Sequence, residues 1–284
     1  PVVLANARMS ESSALGYRRW NGLARPAFAS LAAVCAQSEA DAARLAALGA
    51  TDVSVAGNLK FDVAPDPAKE EEGRAWRAAL GRPVLLLAST REGEEKLLLD
   101  ALPAAPSGFL VVIVPRHPQR FDAVAALTAK DGFPVGRHSR GDVPRPGDRV
   151  YLGDTMGEMA FYYAAADVVV MGGSFAPLGG QNLIEACAAG TAVVLGPSMF
   201  NFSEPTRLAL DAGAAVQAQD AADAVRFALA LLEDGQRRDR MGEAGRRLCL
   251  AHRGAAQKHL AVCRRLLASR SVDVSVRVRA SGRD

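Results

Sequence analysis

What most constrains this chain is the regular return of short apolar runs separated by helical patterns. Strand-like runs recur at VVLA (2–5), AVCAQ (33–37), DVSVAG (52–57), VLLLAS (84–89), FLVVIV (109–114), RVYLG (149–153), ADVVVM (166–171), TAVVLG (191–196) and AAVQA (214–218). Helical patterns separate most of them, and that alternation predicts βαβ units and an α/β fold with a Rossmann-like, doubly wound parallel sheet. Runs as continuous and β-branched as ADVVVM suit strands covered on both faces. The prolines and charges of APDPAKEEEGRAWRAALG (64–81) predict a linker leading into an exposed helix, with a domain boundary near residue 60. Upstream of it are about three strands, too few for an independent α/β domain, and downstream about six, which is enough. Residues 1–60 therefore read as the C-terminal part of one domain, 61–82 as linker and helix, and 83–235 as a complete ligand-binding domain. Residues 236–268 read as a long helix that either finishes the second domain or returns to the first, and 269–284 as a frayed tail.

With 284 residues, 49% of them hydrophobic, the chain has the material for a substantial core. Its apolar runs fall far short of the ~20 residues that span a bilayer. The start PVVLANARMS has neither an initiator Met nor a basic-then-apolar signal pattern, so the chain reads as a processed or truncated piece. Cys35, Cys187, Cys249 and Cys263 are scattered without a C-x-x-C pair, the pattern of packing thiols in a reducing compartment. The net charge is +3, yet residues 235–284 carry thirteen Lys or Arg against four acids, +9, which leaves −6 on the rest. Two readings of that basic segment stay open: the solvated face of a helix, or a surface for an anionic membrane. Nucleic acid is not expected, because no reader motif is present and few aromatics accompany the basic residues.

No G-x-x-x-x-G-K-[ST], G-x-G-x-x-G, H-E-x-x-H or D-x-D occurs, which argues against P-loop, standard dinucleotide, zincin and metal-diphosphate sites, and no metal or cofactor is expected. Polar clusters instead follow the predicted strands, where open parallel sheets bind ligands. In GGSFAPLGGQNLIEACAAG (172–190), Gly172 with Gly173 and Gly179 with Gly180 expose backbone amides beside Ser174, and an anion is a natural guest there. Asn182 and Glu185 share a helix face, while Leu183 and Ile184 can pack on the sheet. The plainer alternative is a tight turn capped by Gln181 and Asn182. In STREGEE (89–95), Ser89 with Glu92 matches a capping box, and Arg91 is placed to meet an anion. In VPRHPQRF (114–121), Arg116 supplies a forked phosphate donor, and His117 lies in an extended turn between prolines. In GDTMGEM (153–159), Thr155 and Glu158 match a second capping box, while Met156 beside Gly157 suits packing against a flat base. Together the clusters fit a nucleotide's phosphate, base and ribose.

The order GNLKFD (57–62), STREGEE, PRHP, GDTMGEM, GGSFAPLGGQNLIEA and GPSMFNF (196–202), with NARMSESSALGYRR (6–19), resembles the bacterial 3-deoxy-D-manno-octulosonic acid (Kdo) transferase family of lipopolysaccharide synthesis, up to about residue 268. The resemblance implies a GT-B fold, two Rossmann-like domains facing a cleft with a C-terminal helix returning to the first. It implies transfer of Kdo from CMP-Kdo to a lipid A precursor with inversion, without a metal, at the cytoplasmic face of the bacterial inner membrane. It puts CMP on Pro115, Arg116, His117, Met156, Gly157, Glu158, Gly173, Ser174, Asn182, Leu183, Ile184 and Glu185, with Glu185 on the ribose diol. Leu178, Gln181 and Arg91 stand where relatives often have histidine, near the transferred sugar. The family's general base is a glutamate early in the N-terminal domain, in a region with no counterpart here, so no catalytic residue is assigned and this chain alone is expected to be inactive. The rival expectations are another GT-B glycosyltransferase, a sugar-nucleotide epimerase that prefers UDP, or a non-catalytic nucleotide-binding module.

Overall fold

The computed structural model describes residues 1–62, 64–102, 108–133 and 135–280, with 269–280 described by backbone alone. The chain divides into two units, residues 1–63 with 252–284, and residues 64–251. The first holds β1 (Val3–Ala7), α1 (Glu11–Arg19), α2 (Asn21–Ala29), β2 (Ala33–Ala36), α3 (Glu39–Ala47) and β3 (Val53–Val55). Its three strands form a parallel sheet in the order β1-β2-β3. Ser10 and Ser38 start α1 and α3 by accepting hydrogen bonds from Ser13 N and Asp41 N, the side-chain caps that satisfy first-turn amides. Met9, Ala14, Val34, Leu45 and Leu48 fill a small core of their own.

The second unit begins with α4 (Pro67–Leu80), capped by Asp66, opened by Pro67 and closed by the left-handed Gly81. Then follow β4 (Val84–Thr90), α5 (Glu94–Asp100), β5 (Leu110–Pro115), α6 (Phe121–Lys130), β6 (Gly136–Arg137), β7 (Val150–Leu152), α7 (Met159–Ala165) and β8 (Val168–Met171). The unit ends with α8 (Ile184–Ala189), β9 (Ala192–Leu195), α9 (Ser203–Asp211), β10 (Ala215–Gln217), α10 (Ala221–Glu233) and α11 (Gly235–His252). Every pairing is parallel, in the order β10-β9-β8-β4-β5-β7-β6. All nine predicted strands are present, and β6 adds a two-residue edge strand too short and too polar to register as an apolar run.

Alternation along the strands separates the two faces. Leu85, Leu87, Val111, Ile113, Val168, Val170 and Val194 join Leu98 of α5, Val124 of α6 and Val225, Ala228 and Leu231 of α10 in one core. Leu86, Val112, Val169 and Val193 point the other way and are equally buried. On that second side α4 lies close against α7: a Cβ on Gly73 would stand 2.3 Å from the carbonyl oxygen of Phe161, so only glycine permits the approach. Covering both faces is what makes near-continuous apolar strands stable.

Two expectations about the C-terminus are corrected. The helix predicted over 236–268 is two helices, α11 and α12 (Ala255–Ala280), separated at Arg253 and at Gly254 with φ +96°. The two helices fall in different units, α11 in the second and α12 in the first. In the first unit, His259 of α12 accepts from Asn6 N at 2.9 Å, and Asp62 accepts from Gly254 N and Ala256 N. The backbone of 269–280, read from sequence as frayed tail, is helical, and 281–284 lie outside the described residues.

Candidate functional site

From β4 the chain winds outward through β5, β7 and β6, and from β8 outward through β9 and β10, so the topological switch point lies between β4 and β8. Outside the carboxyl ends of that strand pair, open α/β sheets form their ligand crevice. Every cluster singled out in the sequence sits at this edge. STREGEE follows β4, PRHP follows β5, GDTMGEM follows β7 and the double-glycine turn follows β8.

The double-glycine turn differs from its expectation. Gly172 is bare because β4 presses on it: a Cβ there would lie 2.6 Å from Ser89 O and 2.6 Å from Thr90 Cα. Its amide donates to Ala88 O at 2.8 Å. Gly173, at φ +67°, donates to Glu94 Oε2 at 2.6 Å, and Phe175 N donates to Glu94 Oε1 at 2.9 Å. Gly179 N donates to Ser198 Oγ at 3.2 Å and Gly180 N to Gly173 O at 2.7 Å. The amides expected to cradle an anion are thus consumed inside the protein. Ser174 is also internal: its fully buried hydroxyl donates to Met171 O and accepts from Gly196 N at 2.8 Å, tying the end of β8 to the end of β9.

Beyond the turn, Asn182 Nδ2 donates to Glu185 Oε1 at 2.8 Å, and Asn182 Oδ1 accepts from Ile184 N at 3.2 Å. Asn182 thereby closes a local turn onto the first amide of α8 and orients Glu185 at once. Leu183 and Ile184 bury their side chains, so only their backbones border the crevice. Pro115 ends β5, buried; Arg116 and His117 are exposed, and Arg116 N is fixed by Thr90 O at 3.0 Å. Among the described residues the Arg116 guanidinium forms no ion pair within the fold. On α7 the Tyr163 phenol is buried. Burial raises its pKa first, the charge of Glu185 raises it further and that of Arg116 lowers it, so Arg116 and Glu185 lie within electrostatic reach of one hydroxyl.

On the β7 side, Met156 is well exposed, and Gly157 turns the chain at φ +76°. Glu158 meets Lys69 Nζ of α4 at 3.0 Å and His138 Nε2 at 3.4 Å. Burial pushes its carboxyl up, but hydrogen bonds from Thr155 and Lys69 and the charges of Lys69 and His138 outweigh that and hold it below the usual range. His138 is packed among Tyr151, Phe161 and Tyr162. Its loop is anchored by buried Asp154, which accepts from Ser139 N at 2.8 Å, Ser139 Oγ at 2.6 Å and Arg137 Nε at 2.6 Å.

Neither predicted capping box forms. Ser89 adopts φ +55°, and α5 starts at Glu94 with Gly93 before it. The α7 helix starts at Met159, and Thr155 Oγ1 lies 2.9 Å from the Tyr162 hydroxyl instead of capping a backbone amide. Sequence reasoning missed Lys69, Glu94, His138, Asp154 and Tyr163. Of these only Glu94 and Asp154 lie inside a motif already singled out; the others meet the site through tertiary packing.

A family model described as 3-deoxy-D-manno-octulosonic-acid transferase (kdotransferase) matches residues 1–63, and one described as glycosyl transferases group 1 matches residues 148–248. The chain is 50% identical to the 3-deoxy-D-manno-octulosonic acid transferase of Bordetella pertussis, over 92% of this chain and 62% of that protein. It is 34% identical to the Haemophilus influenzae transferase of the same name, over 92% of this chain and 63% of that one. The chain therefore spans a little under two thirds of the length of these relatives. Among solved structures, the C-terminal CMP-Kdo binding domain of WaaA from Acinetobacter baumannii superposes with a TM-score of 0.61 at 30% identity, covering 64% of this chain and 98% of that one. Anabaena HepE in complex with UDP, at 16% identity and TM-score 0.58 over 94% of this chain and 72% of that one, shares the fold.

Proposed function

Because the chain belongs to the 3-deoxy-D-manno-octulosonic acid transferase family of GT-B glycosyltransferases, we propose that its second unit binds the CMP moiety of CMP-Kdo. The whole protein would then transfer Kdo to a lipid A precursor in lipopolysaccharide biosynthesis. The observation that carries this reading is the switch-point crevice, with exposed Arg116 following β5 and Glu185 in the first turn of α8, in a unit similar to a CMP-Kdo binding domain.

Each group has a role its chemistry suits. The forked guanidinium of Arg116 receives the phosphate and stabilises its charge as CMP departs. Glu185, steadied by Asn182, accepts from the two ribose hydroxyls. Met156 and Gly157 cover the base with an adaptable thioether and a bare backbone. Glu158, held by Lys69 and His138, keeps the β7 loop in place beneath them. A hydroxyl of the lipid-linked acceptor attacks the anomeric carbon as the bond to the CMP phosphate breaks, which inverts that centre without a metal. No base that takes the hydroxyl proton is assigned among these residues. The protein would work peripherally at the cytoplasmic face of the inner membrane; among the described residues no helix is long and apolar enough to cross a membrane.

Titration calorimetry of the chain with CMP and with UMP tests the reading, since recognition of cytidine requires CMP to bind more tightly. Equal affinity, or none for either, would remove the cytidine assignment.

A further inference from the structure

At the centre of the switch point is a carboxylate that the nucleotide reading does not use. Glu94 opens α5 and is 1% exposed. It accepts three backbone hydrogen bonds from two loops: Arg91 N at 2.8 Å and Gly173 N at 2.6 Å on Oε2, and Phe175 N at 2.9 Å on Oε1. Among the described residues no Lys, Arg or His pairs with it within 4.0 Å. The adjacent Glu95, equally buried, shows the contrast: it takes a hydrogen bond from Thr90 Oγ1 and is paired with Arg120 at 2.9 Å.

An unpaired buried carboxylate is costly unless fixed dipoles receive its charge. The three amides around Glu94 provide those dipoles, in the concave backbone arrangement that elsewhere receives phosphate. The nest exists and its anion is internal. A phosphate cannot share the same N–H groups, and like charge keeps it away from the carboxylate.

Resting on the nucleotide reading above, we propose that Glu94 is a positioning residue for the donor phosphate. Its carboxylate fills the nest of the 89–94 and 172–175 turns, locks the two strand ends together and leaves the phosphate to the Arg116 and Arg91 guanidinium groups. Arg91 N is bound to Glu94 and Arg116 N to Thr90 O, so one polar network sets the backbone from which both arginines project.

The nest and the clamp make opposite predictions for the amides, which hydrogen exchange followed by NMR reads directly in the wild-type chain. With Glu94 as clamp, the Gly173, Phe175 and Arg91 amides are protected without ligand and unchanged by CMP. Rapid exchange in the free chain, with protection appearing only on CMP addition, overturns the proposal. A second arm compares the affinities of CMP and cytidine, whose ratio isolates phosphate contacts. In Glu94→Gln the amide NH2 faces one of the backbone N–H donors, the turn loosens, and the ratio should fall at least about tenfold with cytidine affinity unchanged. Equal losses for the two ligands, or a lowered melting temperature with the ratio intact, make Glu94 merely structural and overturn the proposal. A wild-type chain that binds no CMP overturns the nucleotide reading and takes the proposal with it, whereas CMP binding with an unchanged ratio in Glu94→Gln sinks the role of Glu94 alone. If Glu94→Gln does not fold, the exchange measurement on the wild type decides.

Discussion

The charges of Arg116 and Glu185 shift the buried Tyr163 phenol in opposite directions, and their roles separate by ligand chemistry. Arg116→Ala should weaken CMP binding by about 1.5–3 kcal/mol, the scale of a hydrogen bond to a charged group. Unchanged affinity in calorimetry, with the circular dichroism spectrum intact, would take Arg116 out of the site. Glu185→Gln should weaken CMP more than 2′,3′-dideoxy-CMP, because only the former presents the diol. Equal losses would leave Glu185 as a helix-start partner of Asn182. At this scale the three-residue spacing of Asn182 and Glu185 was legible, since helical geometry alone makes such residues neighbours. The destination of the glycine amides was not. A G-G pair states that backbone is accessible; whether a ligand or a carboxylate such as Glu94 reaches it depends on another loop.

Among the elements, the loop after β6 depends most on a single buried charge. Asp154 accepts from Ser139 and Arg137, and although burial raises its pKa, those bonds and the Arg137 charge bring it below its ordinary value. A depressed folded-state pKa stabilises the fold at pH above the unfolded value, ~4, and that contribution is lost as pH falls through the folded value. Asp154→Asn should therefore cost about 3 kcal/mol at neutral pH, the scale for breaking a buried pair. Chemical denaturation from neutral to acid pH should show the mutant's deficit shrinking toward low pH; a constant deficit would deny the charge its role. The apolar runs made β1 to β5 and β7 to β10 readable because parallel strands covered on both faces need little beyond hydrophobicity. The capping boxes failed because their spacing is satisfied by any Ser or Thr three residues before a Glu, while the helix start is chosen by where the strand ends press together, as at Gly172.

Across the whole molecule, charge is the feature sequence reports best. The +9 of residues 235–284 survives any fold. If these residues meet an anionic membrane, attraction should run at roughly 1 kcal/mol per basic residue near the surface and weaken with salt. Co-sedimentation with anionic but not neutral vesicles, reversed by added salt, is the expected result, and equal sedimentation with both would count against it. By itself the sequence determined the parallel α/β class, the order of the strand-end clusters and their kinship, because these depend on local periodicity and on motifs read in order. Only the tertiary structure decided that a helix break at Gly254 puts the last two helices in different units, that Lys69 and His138 hold Glu158, and that Glu94 occupies the glycine nest. Those partners lie tens of residues apart, as Lys69 and Glu158 do, and nothing in local propensity ranks one distant partner above another. Packing chooses among them, since a buried amide or carboxylate must find its complement wherever the folded chain brings one within reach.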